Sequence, residues 1–282
     1  MMPALRRLGF LLGLLLFTLF AVFPIVWMVI TAFKQDADLY DAANNPFVYN
    51  LPPTLKHVIF LFTGTNYPVF LWNSLFIGIL VVIITLLLAV PAAYSLSRLA
   101  GHWGERSGIA IFLVYLIPPT LLFIPLYQIV TFLRAANTVW ALVLVYPTIT
   151  VPFCTWLLLG FFKSLPRELE EAALIDGCSR WQAFVRVALP LSLPGIATCI
   201  VFAFALSLSD YIYATVFVSS TASHTVSAGV PTELIRGDIY YWQSLMAAAA
   251  IVTIPLAVAY GLLFDRLVKG FQSDSAGGEA TP

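Results

Sequence analysis

Asp210 stands at the end of a candidate membrane segment, directly after Ser209, and Ser207, Ser209, Tyr211 and Tyr213 surround it with hydroxyls and rings. A carboxylate in hydrocarbon is costly unless it meets a partner or water, so such a residue is a functional candidate by default. Two roles fit it: a group lining a translocation cavity, or a strut hydrogen-bonded to a neighbouring helix. The second concentration of polar residues is Lys163–Pro194, which holds Glu168, Glu170, Glu171, Asp176 and four cations in a patterned run. Neither group carries covalent chemistry. The lysines, Lys34, Lys56, Lys163 and Lys269, never follow a glycine, so there is no Gly-Lys-Ser/Thr phosphate loop. There is no Gly-x-Ser-x-Gly elbow and no His-Glu-x-x-His helix. Cys154, Cys178 and Cys199, with His57, His102 and His224, show no metal-ligand or disulfide spacing. An intramembrane enzyme needs a pair of catalytic polar residues at matching depth, and Asp210 stands alone. The chain is read as no enzyme, with no cofactor or metal of its own.

The elements that carry these residues are set by composition. Hydrophobic residues make up 61% of the 282-residue chain and charged ones 10%, against about 45–50% and about 25% in soluble proteins. So few charges cannot cover a soluble surface, and the sequence is that of an all-α integral membrane protein. The net charge of zero offers no field for nucleic acid. Spans need about 20 apolar residues, and six are expected: Leu8–Phe33, about Val69–Ser97, Ser107–Leu133, Ala135–Phe162, Val187–Ser209 and Ile239–Phe264. A turn is expected at Thr63–Pro68. The first span has too long an uncharged run for a signal core and no small-x-small site after it, so it is retained. Orientation follows from the cations. Arg6, Arg7, Arg98, Arg106, Lys163, Arg167, Arg180, Arg186, Arg266 and Lys269 share one side against Lys34, Lys56, Arg134 and Arg236, which puts both termini in the cytoplasm of a cell-membrane protein. Pro118, Pro119 and Pro125 interrupt the third span, and Pro147 and Pro152 the fourth. Such breaks are tolerated where a helix is buried in protein or lines a cavity.

Lys163–Pro194 then lies inside as a helix–turn–helix elbow. Ser164 is the expected N-cap, with Pro166 in the first turn and Glu168, Glu170 and Glu171 toward the positive end of the dipole. Leu165, Leu169, Ala172 and Ala173 form one apolar stripe. Gly177 stops the helix in a left-handed turn. Ser179 and Gln182 make a capping box for a second helix with the stripe Trp181, Phe184, Val185 and Ala188, which Pro190 and Pro194 end. This elbow is either an amphipathic rest on the membrane surface or a docking knob for a soluble partner.

Glu171-Ala172-Ala173, three residues, Gly177, nine residues, Val187, one residue, Leu189-Pro190 resembles the signature loop of binding-protein-dependent ABC importer permeases, with Val187 where that family usually has isoleucine. Trp72-Asn73-Ser74, Trp181-Gln182-Ala183-Phe184 and Leu267-Val268-Lys269-Gly270 are similar to the smaller permease of maltose-type carbohydrate importers. Ser209-Asp210-Tyr211 stands where those permeases often carry Asn-Asp or Asn-Glu before an aromatic. The resemblance implies a type I importer permease fold. Its parts are an N-terminal span and outer loop (1–67), a transmembrane domain (68–271) with a coupling elbow at 164–189, and a cytoplasmic tail (272–282). It implies ATPase coupling through Glu171, Ala172, Ala173, Asp176, Gly177, Leu189 and Pro190, and a translocation cavity at Ser209, Asp210, Tyr211 and Tyr213. It further implies a second homologous permease, two ATP-binding cassette subunits that carry ATP and Mg, an external or periplasmic solute-binding protein, and a carbohydrate or sugar-derived solute. An importer permease for a non-sugar solute and a secondary transporter are the alternatives. Small residues are expected to mark the face toward the second permease: Ala247 to Ala250 in the sixth span, and Gly195, Ala197, Ala203 and Ala205 in the fifth.

Overall fold

The computed structural model describes residues 4–276, and these are mostly helical. In chain order the helices are α1 (Ala4–Phe33), α2 (Asp36–Tyr40), α3 (Lys56–Gly64), α4 (Tyr67–Arg98), α5 (Gly101–Tyr115), α6 (Phe123–Phe132), α7 (Val139–Val145), α8 (Pro147–Ser164), α9 (Arg167–Ile175), α10 (Arg180–Ala183), α11 (Leu189–Leu191), α12 (Leu193–Ser209), α13 (Ile212–Phe217), α14 (Val226–Leu234) and α15 (Trp242–Ala276). One departure from all-α is a two-residue antiparallel ribbon, β1 (Ile235–Arg236) with β2 (Ile239–Tyr240), turned at Gly237 with φ +61°. Four stretches are long and apolar enough to cross a membrane as straight helices: Arg6–Phe33, Tyr67–Arg98, Val139–Ser164 and Trp242–Leu262. Two more are bent pairs, Trp103–Tyr115 with Pro119–Phe132 at 85° and Arg180–Leu191 with Leu193–Ser209 at 70°, giving six spans if each pair counts once. The expected third span, and the expected fifth at Ser192, are therefore not continuous. Pro119 pushes Pro118 out of the helical region, to φ −54° and ψ 125°, and the chain turns there. The expected turn at Thr63–Pro68 shrinks to Thr65-Asn66, since Thr63 and Gly64 complete α3 while Tyr67 and Pro68 open α4.

The chain divides into two compact units. One combines residues 1–68 with 229–256. Its α1 exposes every side chain from Arg6 to Val26 within this chain. The segment after α1 is ordered by a buried ion pair rather than left as a loop: Lys34 Nζ lies 3.4 Å from Asp38 Oδ1 with both side chains fully buried. Asp38 also accepts from the Asn50 amide at 2.8 Å and the Asn50 backbone N–H at 3.1 Å. Desolvation pushes the Asp38 carboxyl up, but the hydrogen bonds from Asn50, Leu51 and Lys34 together hold it below its ordinary value. The stability gained from the ionised form is thus present above the ordinary aspartate range and lost only as pH falls through the lowered value. Lys34, counted from sequence among the cations of the outer side, is buried.

The other unit, residues 69–228 with 257–282, holds two packed cores. The first gathers Ile77, Val81, Val130, Leu142, Tyr146, Tyr213 and Phe217. The second gathers Ala89, Ala93, Cys154, Leu158, Phe162, Phe184, Ile196 and Cys199. Cys154 and Cys199, which sequence spacing left unrelated, face each other, each sulfur 3.9–4.0 Å from the other residue's carbonyl oxygen. The tight loop before α7 is closed by Asn137 at φ 62°, whose side-chain oxygen accepts from Ser219 N–H, Ser219 Oγ and Ser220 N–H at 2.7–3.0 Å.

The small residues expected to face a second permease are spent differently. Ala247, Ala248, Ala250, Gly195 and Ala203 are buried within this chain, and Ala197, Ala205 and Ala249 half-buried. Close helix approach requires small side chains wherever it occurs, inside a chain as well as between chains. At Gly195 the ring of Phe161 on α8 would lie 2.9 Å from an added Cβ, too close for an ordinary contact. Gly195→Val is therefore expected to cost about 1–3 kcal/mol by overpacking, read as a lower melting temperature of the purified chain in detergent. An unchanged melting temperature would mean that α8 and α12 slide apart freely.

Candidate functional site

The elbow forms because its signals are local. Pro166 caps α9 and holds Leu165 extended at φ −73° and ψ 134°. Ser164 is not the cap: it is the last residue of α8, and its hydroxyl donates back to the Phe161 carbonyl at 2.8 Å. Glu168 and Glu170 occupy the first turn. At the other end Gly177 takes φ +89°. The Cys178 N–H bonds the Ala173 carbonyl at 3.0 Å and the Gly177 N–H that of Leu174 at 3.1 Å, the paired bonds of a Schellman motif. Ser179 and Gln182 make the expected capping box, at 2.8 and 3.2 Å. After Ala183 the helix widens into a π turn over Phe184–Ala188, runs past Pro190, which was expected to help end it, and bends at the buried Ser192 before α12 begins at Leu193.

The two apolar stripes pack inward only in part, through Phe184 and Ala188 of the second. Leu169 is 46% exposed, Trp181 68% and Ile175 85%, while Phe184 and Ala188 are buried. Of the residues singled out for coupling, Glu171, Ala172, Asp176, Gly177 and Pro190 are exposed, and Ala173 and Leu189 half-buried. The elbow therefore presents a surface of small, acidic and apolar groups.

The residue of α9 that turns inward is Glu170, which sequence reading did not single out. One carboxylate oxygen accepts from Arg98 Nε at 2.7 Å and the other from the Tyr94 hydroxyl at 2.8 Å. Arg98 also donates to the Leu165 carbonyl at 2.9 Å. The available signal was Tyr94 and Arg98, one helical turn apart at the end of the second span, beside a Glu on the face opposite the stripe.

The second site is a cavity of about 480 Å³ at the 85° break between α5 and α6. Pro118, Phe123, Thr148, Leu206, Asp210 and Tyr213 are among the residues that line it. Asp210 is not inside a helix: it caps α12 in an extended conformation, and one of its oxygens accepts from the Tyr146 hydroxyl at 3.0 Å and the Ala214 N–H at 3.2 Å. Its carbonyl accepts from Ser227 Oγ at 2.6 Å. Tyr213 is buried and donates to the Pro119 carbonyl at 2.8 Å, which ties the break to the segment after α12. The carboxylate is thus a strut and a cavity wall at once. Of the four residues expected here, Asp210 and Tyr213 meet at the cavity, while Ser209 and Tyr211 are exposed and stand outside its lining. Trp72-Asn73-Ser74 proves to be a clamp. Asn73 donates to the Ala222 and His224 carbonyls, both at 2.9 Å, and Ser74 Oγ accepts from the Val226 N–H at 2.8 Å, with Trp72 exposed. Beyond Leu262 the side chains of Arg266 and Leu267–Gly270 lie outside the described residues, as do residues 277–282 of the tail.

The family described as binding-protein-dependent transport system inner membrane component matches residues 4–273. The sulfoquinovosyl glycerol transport system permease protein SmoH of Agrobacterium fabrum is 33% identical, over 91% of this chain and 88% of that one. The trehalose/maltose transport system permease protein MalG of Thermococcus litoralis is 32% identical over 98% of both chains. A chain from the crystal structure of a bacterial ABC transporter that imports the polysaccharide alginate has the same fold, with a TM-score of 0.74 at 18% identity over 92% of this chain and 96% of that one. By the family match and by likeness along nearly its whole length, the chain belongs to the inner membrane components of binding-protein-dependent transport systems.

Proposed function

We propose that this permease forms half of a translocation path for a carbohydrate or sugar-derived solute, beside a second homologous permease, and is driven by two ATP-binding cassette subunits. In this reading a solute-binding protein delivers the solute at the outer face and both termini lie in the cytoplasm. Residues 68–271 form the transmembrane domain behind an N-terminal span and outer loop, and residues 272–282 form a cytoplasmic tail. Glu171, Ala172, Ala173, Asp176, Gly177, Leu189 and Pro190 form the contact with the ATPase. Asp210 and Tyr213, with Ser209 and Tyr211 nearby, face the solute path. The observation that carries the reading is the elbow: a capped helix that leaves Leu169, Ile175 and Trp181 in the open is built to be covered. The solute class is supported by relatives named for trehalose/maltose and for sulfoquinovosyl glycerol, and by the pairing of rings and hydroxyls around Asp210. In the chain's own structure Asp210 already holds Tyr146, so a solute hydroxyl there would meet an oriented carboxylate.

The test is reconstitution. This chain, co-expressed with the neighbouring permease, ATPase and binding-protein genes, is expected to co-purify with the ATPase. In proteoliposomes the binding protein loaded with trehalose, maltose or a sulfoquinovosyl glycoside in turn is expected to stimulate ATP hydrolysis for at least one of them. Failure to co-purify would remove the importer assembly; stimulation only by a non-sugar solute would remove the carbohydrate class and leave the assembly standing.

A further inference from the structure

We infer that Tyr94, Arg98 and Glu170 form a latch that makes the elbow and the cytoplasmic end of α4 one rigid body, so that movement of the elbow is delivered to the second span. The inference rests on the proposed importer function and adds where its force goes. The chain runs on from the elbow through Pro190 into α12, the direction in which its motion would be expected to pass. The contacts point backward instead. Glu170 is the one buried residue of α9; everything else that this helix could use as a hold is exposed or half-buried. Its side chain is 12% exposed and that of Arg98 7%. Both carboxylate oxygens are used, one by Arg98 Nε at 2.7 Å and one by the Tyr94 hydroxyl at 2.8 Å. The same guanidinium takes the Leu165 carbonyl at 2.9 Å, just before α9 begins. The first turn of the elbow is therefore held at its backbone and at its side chain by two residues of α4.

The second half of the elbow joins the same point. The Tyr94 ring lies 4.5 Å from that of Phe184 in the π turn and 5.6 Å from that of Phe162 on α8. Ala89, Val90 and Ala93, lower on α4, share a core with Phe184 and Ala188. A greasy contact tolerates sliding, whereas a desolvated ion pair with both oxygens filled has one geometry. Desolvating two charges offsets most of what their attraction gains, so a buried pair is better explained by the register it fixes than by stability. Here the register is that of α9 on α4. Glu171, next in sequence, is exposed. Adjacent glutamates thus divide two tasks, one facing the ATPase and one gripping the span.

The assembled transporter can report this directly. Nitroxide labels at Leu99, just past α4, and at Glu168 on α9, in a background with Cys154, Cys178 and Cys199 replaced, give a distance by pulsed electron resonance. The distance is read nucleotide-free and after trapping with Mg, ATP and vanadate. The latch expects the wild-type distance to shift by less than about 2 Å between states, and Arg98→Gln or Glu170→Gln to let it shift or broaden by about 5 Å. The swapped pair, Arg98→Glu with Glu170→Arg, should narrow it again. Tyr94→Phe, which keeps the ring and removes one hydrogen bond, covers the case in which the charge variants fail to assemble, and should give an intermediate broadening. A wild-type distance that changes by about 5 Å on trapping overturns the latch while leaving the importer reading intact. So does a distance equally fixed in the wild type and in every variant that assembles. If the wild-type chain itself binds no ATPase, the importer reading falls and the latch falls with it.

Discussion

Gly177→Val is expected to reduce solute uptake by tenfold or more while ATP hydrolysis by the assembled complex continues. Gly177 sits at φ +89° with open space where a Cβ would go, so the penalty is conformational and not a clash. A left-handed residue with a side chain costs on the order of 1–2 kcal/mol, and a β-branched one more. The chain can escape the strain only by moving φ, and that breaks the bonds from the Cys178 and Gly177 N–H groups to the Ala173 and Leu174 carbonyls. The last turn of α9, which carries Ala172 and Ala173, then unwinds at the surface proposed to meet the ATPase. The series Gly177→Asn, Gly177→Ala, Gly177→Val should grade the loss, because asparagine tolerates the left-handed region best. Uptake and ATPase activity measured together on proteoliposomes separate uncoupling from loss of assembly. Wild-type uptake in the valine variant would mean that the turn transmits nothing.

The turn was legible in the sequence because everything that makes it is within a few residues. Gly177 and the Ser179–Gln182 box each satisfy a specific backbone requirement, and each stands where the sequence reading put it. The number of apolar stretches was legible for a similar reason, since length and hydropathy fix what can cross a bilayer. Other features depended on what lies far away in the chain. Ser164 looked like a cap, but its hydroxyl finds the α8 carbonyl first, and Pro166 alone breaks the helix. The stripes at Leu169 and Trp181 have the spacing of a buried face, and periodicity does not say whether the cover is this chain or another. Glu170 differs from Glu168 and Glu171 through Tyr94 and Arg98, 76 and 72 residues away, so a window around it alone could not set it apart. The alanines of the fifth and sixth spans were read as an outward face, although small residues mark close approach without saying to what.

Asp210→Asn is expected to leave the fold intact and lower uptake by about tenfold, equivalent to about 1.4 kcal/mol in the transport barrier. Whether the carboxylate is a strut or a translocation-cavity group was open in the sequence; it is hydrogen-bonded to Tyr146 and also lines the pocket at the α5–α6 break, and two substitutions can separate these two features. The oxygen that accepts from Tyr146 and from the Ala214 N–H is retained in asparagine, so the strut survives while the charge facing the cavity is lost. Alanine removes the acceptor altogether. That leaves the fully buried Tyr146 hydroxyl without this partner, at about 1–3 kcal/mol, and loosens the segment that Tyr213 ties to the break at Pro119. Asp210→Ala should therefore lower both the melting temperature of the purified chain and the yield of complex. Asp210→Asn should lower uptake per assembled complex without either change. Tyr146→Phe supplies the converse: it removes the strut and leaves the carboxylate at the cavity, so stability should fall more than uptake per complex. If Asp210→Asn transports as the wild type does, the charge takes no part in the solute path and the strut alone accounts for the residue.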